Sequence, residues 1–396
     1  MRELDFSEGN QRWCWSGVKE FWAGLEEETR GLIKWRLEQL LQAEVGVHLG
    51  CARYGRSVQR RGYRNGSYGR DLLTRYGWIE SLTMPRVRAG DFASRVVEKY
   101  RRRQRQVDQV VLEAFLLGHS TRKTRRLFRR VFGATISAQG VSNIVRALDE
   151  EVQRFHHRWL DGHYAFVYLD GLSITIRQPV PVKRMILVAL GVRQDGSREL
   201  LDFLLAPSES EATWWGFVSD LKERGLGSGN HPVVVMVTDG QAGLVKAITG
   251  LYPRVAQQRC IVHKLRDLRG AVEKPEHQRP LMADARRIFQ GATATEARYL
   301  LAAFVAKWSA RESKAVRNFV KGVDLCLTYL NYPERLRTLL KTNNPVERVI
   351  EEFRRRLNPM RSMVNARSTE RIVYGVIAYV LNPQPEMPTT EFTQLA

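Results

Sequence analysis

Two apolar runs, Ala165-Phe-Val-Tyr-Leu-Asp170-Gly171 and Val233-Val-Val-Met-Val-Thr-Asp239-Gly240, decide how this chain is read. Each has the length and the β-branched or aromatic content of a buried strand. Each ends on an aspartate followed by a glycine. A third acid, Glu347, stands far downstream in Lys341-Thr-Asn-Asn-Pro-Val-Glu347-Arg348. Carboxylates carried on separate elements of one sheet can converge on divalent cations. Each signal also has a plainer reading. Asp-Gly is a strong hairpin signal, so Asp170 can simply turn the chain between strands at 166–169 and 173–176. Asp239 can cap a helix that begins near Gln241. With Asn344 as N-cap and Pro345 at N1, Glu347 falls on the capping-box position. Glu351, one turn on, shares that face, so periodicity alone leaves Glu347 and Glu351 both open as the third acid.

Working outward, strand-like runs at 185–192 and 199–205, a helix at 212–224 ended by Gly225, and a strand at 255–262 complete a mixed α/β sheet. Residues 264–340 read as helical throughout, an insertion before a last helix that starts at Asn344-Pro345 and is broken by Pro359. The tail after Leu381, with Pro383, Pro385 and Pro388, reads as loose. Upstream, 17–50 is helical, with Phe21, Leu25, Leu32, Leu37, Leu40 and Leu41 at roughly helical spacing. A Gly- and Arg-rich stretch then leads into a small β unit at 72–74 and 78–84. Three helices follow: 107–117, one from the N-cap candidate Ser120 to Phe132, and one opening at Ser137 that carries Val141, Ile144, Val145 and Leu148. They resemble a helix-turn-helix. The expected domains are 1–100, 101–158 (helix-turn-helix-like, DNA binding), 159–265 (mixed-sheet core, first part), 266–340 (helical insertion), 341–382 (core, last part) and 383–396 (flexible tail).

The 396 residues carry 63 Lys and Arg against 42 Asp and Glu, a formal net charge of +21. A folded chain, 43% hydrophobic, with that excess calls for a polyanionic partner. Nucleic acid is the default, because neutralised phosphates release counterions. An acidic membrane surface is the weaker alternative, for want of a separate basic amphipathic helix. The middle helix of the three concentrates Arg122, Lys123, Arg125, Arg126, Arg129 and Arg130, and the last helix carries Arg354 and Arg355 as candidate phosphate contacts. The bland reading of both is a solvated face. Four cysteines, at 14, 51, 260 and 326, form no CxxC pair and suit a reducing compartment. The longest apolar stretch, near 185–192, falls well short of the roughly 20 residues of a membrane helix, so a soluble intracellular protein is expected. Cys260-Ile-Val-His263 would need two more ligands to hold zinc, and the chain offers no second CxxC or HxxxH. A packed Cys with a hydrogen-bonding His that supports the active site is the expectation. Three carboxylates suit two Mg²⁺ or Mn²⁺ ions in phosphoryl chemistry, and no GxSxG or P-loop motif offers another route.

In order along the chain, these pieces resemble the Mutator-type transposases of bacterial insertion sequences. Arg64-Asn-Gly66 with Pro85-Arg-Val-Arg88 is similar to the family's N-terminal region, and Gly118-His-Ser-Thr-Arg-Lys123 to its helix-turn-helix. Tyr168-Leu-Asp170-Gly171 matches the first acid and Trp214-Trp215 the helix before the second. Thr238-Asp239-Gly240 with Gln258-Arg-Cys260-Ile-Val-His263 matches the second acid and the CxxH signature, and Thr342-Asn-Asn-Pro-Val-Glu347-Arg348 the third-acid block. Asp267 departs from the Asn expected in the CxxH helix, and residues 1–55 carry no resemblance. The resemblance covers roughly 60–380. It implies a ribonuclease-H-like α/β core with a helical insertion, Asp170, Asp239 and Glu347 as catalytic metal ligands, and Glu347 rather than Glu351 as the third acid. It implies Mg²⁺ as cofactor, double-stranded DNA as partner and a homodimer holding two element ends. The activity implied is binding of terminal inverted repeats, 3′-end cleavage and strand transfer, in a bacterial cytoplasm and on the nucleoid when DNA-bound. A non-catalytic regulator derived from such an enzyme, or a structure-specific nuclease on the same fold, is the alternative.

Overall fold

The computed structural model describes residues 15–88, 92–99, 101–160, 162–177, 180–229, 232–358 and 365–378. The chain divides into two compact units, Met1–Val145 and Arg146–Ala396.

The first unit contains α1 (Trp15–Leu49), an antiparallel pair β1 (Arg64–Thr74) and β2 (Gly77–Val87), and then α2 (Arg105–Leu116), α3 (Thr121–Phe132) and α4 (Ala138–Arg146). Both strands are longer than their apolar pattern suggests. Only the turn-proximal part of β1, ending in Leu72, Leu73 and Thr74, is buried, so its polar outer half gives no alternation to read. Ile33, Leu37 and Leu41 of α1 cover Leu72, Ile79, Leu82 and Met84. The helical trio shares a core of Val107, Val111, Phe128, Phe132, Ile136 and Val141. Helix α3 starts where the Ser120 side chain accepts the Lys123 N–H, and it stops where Gly133 adopts φ 61° and closes on the Arg129 carbonyl. Thr124, Phe128 and Phe132 point inward, which leaves Arg122, Lys123, Arg125, Arg126, Arg129 and Arg130 exposed. The third helix expected from Ser137 is interrupted after Arg146. A new helix, α5 (Asp149–His157), opens on Asp149, Glu150 and Glu151, acids that favour a helix N-terminus.

The second unit is built on one five-stranded sheet of order β5-β4-β3-β6-β7. Strands β3 (Tyr164–Ile176), β4 (Val182–Arg193) and β5 (Arg198–Ala206) form an antiparallel meander. Strands β6 (Val235–Thr238) and β7 (Ala256–Arg259) run parallel to β3. Helix α6 (Glu211–Glu223) connects β5 to β6, and α7 (Ala242–Leu251) connects β6 to β7. Trp214, Phe217, Val218 and Leu221 of α6, with Leu244, Ala247 and Ile248 of α7, close over Val167, Leu169, Leu187, Ala189 and Met236. Buried Asp202 on β5 holds His156 of α5 through Nδ1 (2.7 Å) and Arg224 after α6.

Strand β7 is shorter than its apolar run. Cys260 already caps α8 (Ile261–Ala271), and the Cys260 and Ile261 N–H groups bond the Thr238 and Lys341 carbonyls. The β-branched pair Ile261-Val262 therefore starts a helix instead of extending the strand. Beyond it come α9 (Pro275–Ile288), α10 (Ala294–Trp308), α11 (Ser313–Val320), two short 3-10 turns and α12 (Glu334–Leu340), all helical as the sequence predicts. Lys264 of α8, buried and brought down to about 8 by desolvation, donates to the Asn318 and Lys321 carbonyls at the end of α11. That contact ties the insertion to the helix carrying the CxxH. Helices α13 (Asn344–Leu357) and α14 (Ala366–Val376) follow, with α13 against β3 and β4. Pro359 and the proline-rich tail lie outside the described residues. Among the described residues no helix is long and apolar enough to cross a membrane.

Candidate active site

Strand β3 is continuous through Asp170, which pairs with Val188, while Gly171 pairs with Leu187. The hairpin turn allowed by Asp-Gly is absent. The strand ladder on the other side explains what the pair does. Strand β6 accompanies β3 only from Phe166 to Tyr168 and ends at Thr238. Asp170 and Asp239 thus lie just past the last rung between two neighbouring parallel strands, the crevice where open α/β sheets bind ligands.

Each glycine admits a side chain from another element. A Cβ at Gly171 would stand 2.9 Å from Glu209 Oε1. Gly240 has φ 86°, and a Cβ there would collide with the Arg259 side chain. Arg259 uses that space to donate from Nε to the Asp239 carbonyl (2.9 Å) and from Nη2 to Asp267 Oδ2 (2.7 Å). Asp267, the departure from the family pattern, thereby anchors the arginine that packs over Asp239-Gly240. Asp239 does not cap α7. Gln241 does, accepting the Leu244 N–H, while Asp239 Oδ1 accepts the Gln241 N–H (2.9 Å).

Helix α13 starts one residue earlier than its sequence suggests. Asn343 is the N-cap, so Pro345 sits at N2 and Glu347 one place past the capping-box position, and no side-chain cap bond forms. Asn343 is fully buried and joins three elements. Its N–H meets Cys260 Sγ (3.3 Å), its Nδ2 donates to the Leu169 carbonyl (3.4 Å), and its carbonyl accepts the Glu347 N–H (3.0 Å). The start of α13 is therefore pinned to the residue preceding Asp170. His263 Nε2 stands 3.7 Å from Glu347 Oε1. Burial pushes the Cys260 thiol up, which keeps it an uncharged packing group. Among the described residues, no three His, Cys, Asp or Glu side chains are gathered closely enough to hold a metal ion.

Asp170 is the most perturbed acid of this site. Burial first, then the charges of Asp239, Glu347 and Glu209, raise it to about 7 against the pull of the Gly171 N–H. Glu351 is not among those charges. It is exposed with Arg354, Arg355 and Asn358 around an open concavity, so the structure brings Glu347, not Glu351, to Asp170. Glu209 was not found from sequence. It is raised by burial and then by Asp239, its carbonyl accepts Gln241 Nε2 (2.7 Å), and the buried Trp214 indole N–H lies near its carboxylate without a well-formed hydrogen bond. In Ser208-Glu-Ser210-Glu211 it reads as a polar lead-in to a helix cap, and no local pattern marks it.

A family model described as transposase, Mutator family, matches residues 18–382. The chain belongs to the Mutator family of transposases. The match takes in residues 18–60, where the motifs had shown no resemblance. The transposase of insertion sequence element ISRM5 from Rhizobium meliloti is 33% identical over 359 residues, covering 90% of this chain and 89% of that protein. The IS905 transposase of Lactococcus lactis is 29% identical over 88% of this chain and 87% of its own length. The IS256 transposase in Tn4001 of Staphylococcus aureus is 29% identical over 89% and 90%. A Mutator transposase cleaves DNA and transfers strands, so DNA is its partner.

Proposed function

We propose that this transposase binds the terminal inverted repeats of its insertion sequence and performs 3′-end cleavage and strand transfer at Asp170, Asp239 and Glu347, on a ribonuclease-H-like core. The observation that carries this reading is the position of Asp170 and Asp239 past one parallel ladder, with Glu347 near enough to raise Asp170.

The donor set fits hard divalent cations. Asp170, Asp239 and Glu347 are oxygen donors whose mutual repulsion a cation would offset, although their side chains are not drawn together around one position. When bound, Mg²⁺ or Mn²⁺ would supply an activated attacking oxygen and a stabilised leaving oxygen. The chain's own residues orient that set. Asn343 fixes α13 to β3, His263 faces the Glu347 carboxylate, and the Gly171 N–H (2.8 Å) orients Asp170 Oδ1. Arg122, Lys123, Arg125, Arg126, Arg129 and Arg130 contact DNA phosphates in the first unit, as do Arg354 and Arg355 in the second. The working form is a homodimer, because two element ends are processed together. The domain limits expected from the sequence are retained within this reading.

The test is a Mg²⁺-dependent cleavage and joining assay on DNA carrying the element ends. Wild type yields joined products, and Asp239→Asn binds the ends but yields none. Cleavage by Asp239→Asn would remove that residue from the site. Cleavage without joining by the wild type would favour a nuclease, and binding without cleavage a regulator.

A further inference from the structure

Helix α1 uses one face inside its own unit. Ile33, Leu37 and Leu41 pack on the β1–β2 pair, Lys34 Nζ donates to the Glu80 carbonyl (2.9 Å), and Glu38 Oε1 accepts the Thr83 N–H (2.8 Å). On the other face stand Phe21 (54% exposed), Leu25 (42%), Leu32 (64%) and Trp35 (54%). They recur at steps of four, seven and three residues, the a/d spacing of a coiled-coil seam. At 3.6 residues per turn they span about 80° of arc, roughly opposite the face on the sheet. Beside this stripe, Gly24 and Gly31 stand one heptad apart, and a Cβ at either would touch nothing within 4 Å. An exposed glycine inside a helix costs about 1 kcal/mol relative to alanine. Nothing among the described residues repays two of them, whereas the close approach of another helix would.

Charge selects that helix and its direction. Glu28, inside that arc, and Arg36, at its edge, stand four residues to either side of Leu32, both are exposed, and among the described residues neither makes an ion pair within the chain. A parallel, in-register copy would set Glu28 against Glu28. An antiparallel copy with its two-fold axis at Leu32 sets Glu28 against Arg36 twice, packs Leu32 on Leu32, and brings Leu25 over the aliphatic stem of Gln39.

We propose that the exposed stripe of α1 is a self-association surface on which a second copy of this chain docks antiparallel, about a two-fold axis at Leu32. It supplies an interface for the homodimer of the proposed function and stands on α1 alone, without recourse to the catalytic reading. The isologous geometry repeats each contact.

The experiment is sedimentation or light scattering of the full chain without DNA over a concentration series. Wild type is expected to dimerise and Leu32→Glu to be monomeric, with its circular-dichroism spectrum unchanged because the site is exposed. Glu28→Arg and Arg36→Glu should each weaken the dimer by roughly three- to tenfold, and the double reversal should restore it. Glu28→Cys mixed with Arg36→Cys should cross-link through a short bismaleimide, and Glu28→Cys alone should not. A wild-type monomer at all concentrations, or a Leu32→Glu dimer, overturns the proposal. The second result leaves a homodimer built elsewhere intact. Self-cross-linking of Glu28→Cys overturns the antiparallel arrangement.

Discussion

Replacing Asp170 by Asn tests the electrostatics of the site without any DNA. Burial and three neighbouring acids raise Asp170 from 3.8 to about 7. Between about pH 4 and 7 the folded protein therefore binds a proton that the unfolded chain has released, and stability falls as pH rises through that window. At about 1.4 kcal/mol per tenfold change in proton affinity, the full penalty above pH 7 is on the order of 4 kcal/mol. Below pH 4 both states are protonated and the penalty vanishes. Asn has the same shape, carries no charge, and keeps an oxygen for the Gly171 N–H. In EDTA, Asp170→Asn should thus outlast wild type at pH 8 and match it at pH 4. The measurement is urea unfolding followed by tryptophan fluorescence, for which Trp214 lies in the core of the second unit. Adding Mg²⁺ at pH 8 should stabilise wild type and leave the variant unchanged, because only a group that binds the folded form shifts the equilibrium. An equal gain at pH 4 and pH 8, or no gain at pH 8, would refute the reasoning.

Glu209→Gln removes one of the charges that raise Asp170, so the pH window of wild-type stability loss should move down. An unmoved window would mean that Glu209 does not act on Asp170. Gly240→Ala must accept φ 86° and displace Arg259, and it should lose at least about 1 kcal/mol in denaturant titrations. An unaltered midpoint would show that neither constraint is felt. Arg122→Ala and Arg126→Ala on α3 should weaken DNA binding at every sequence. Each should flatten the plot of log affinity against log salt by about 0.9 for every phosphate no longer neutralised, measured by fluorescence anisotropy. A slope that stays the same would make that face a solvated one.

Much of this molecule is local and was legible in the chain. The Ser120 cap and Gly133 stop of α3, the helical run from Lys264 onward and the buried strand before Asp239 follow from side-chain patterns within a few residues. The excess of Lys and Arg calls for a polyanionic partner, with nucleic acid the default by charge, and membership of the transposase family makes that partner DNA. The ordered motifs also carried the family, because they lie far apart yet in sequence order.

What the chain left open turns on long-range contacts. Asp-Gly at 170 reads as a turn until β4 pairs straight through it, and its glycine is explained only by Glu209, brought in from the β5–α6 loop. Glu347 and Glu351 share a helix face. Their difference lies in what stands opposite, since Asn343 and Cys260 pin the start of α13 against β3. The α13 cap falls on Asn343 for the same reason, a residue held by distant partners instead of its own side-chain bond. Glu209 has no local signature at all. Helical and strand periodicity report only which face of an element is apolar, and neither records which distant element will cover that face or which charge will stand beside a buried acid.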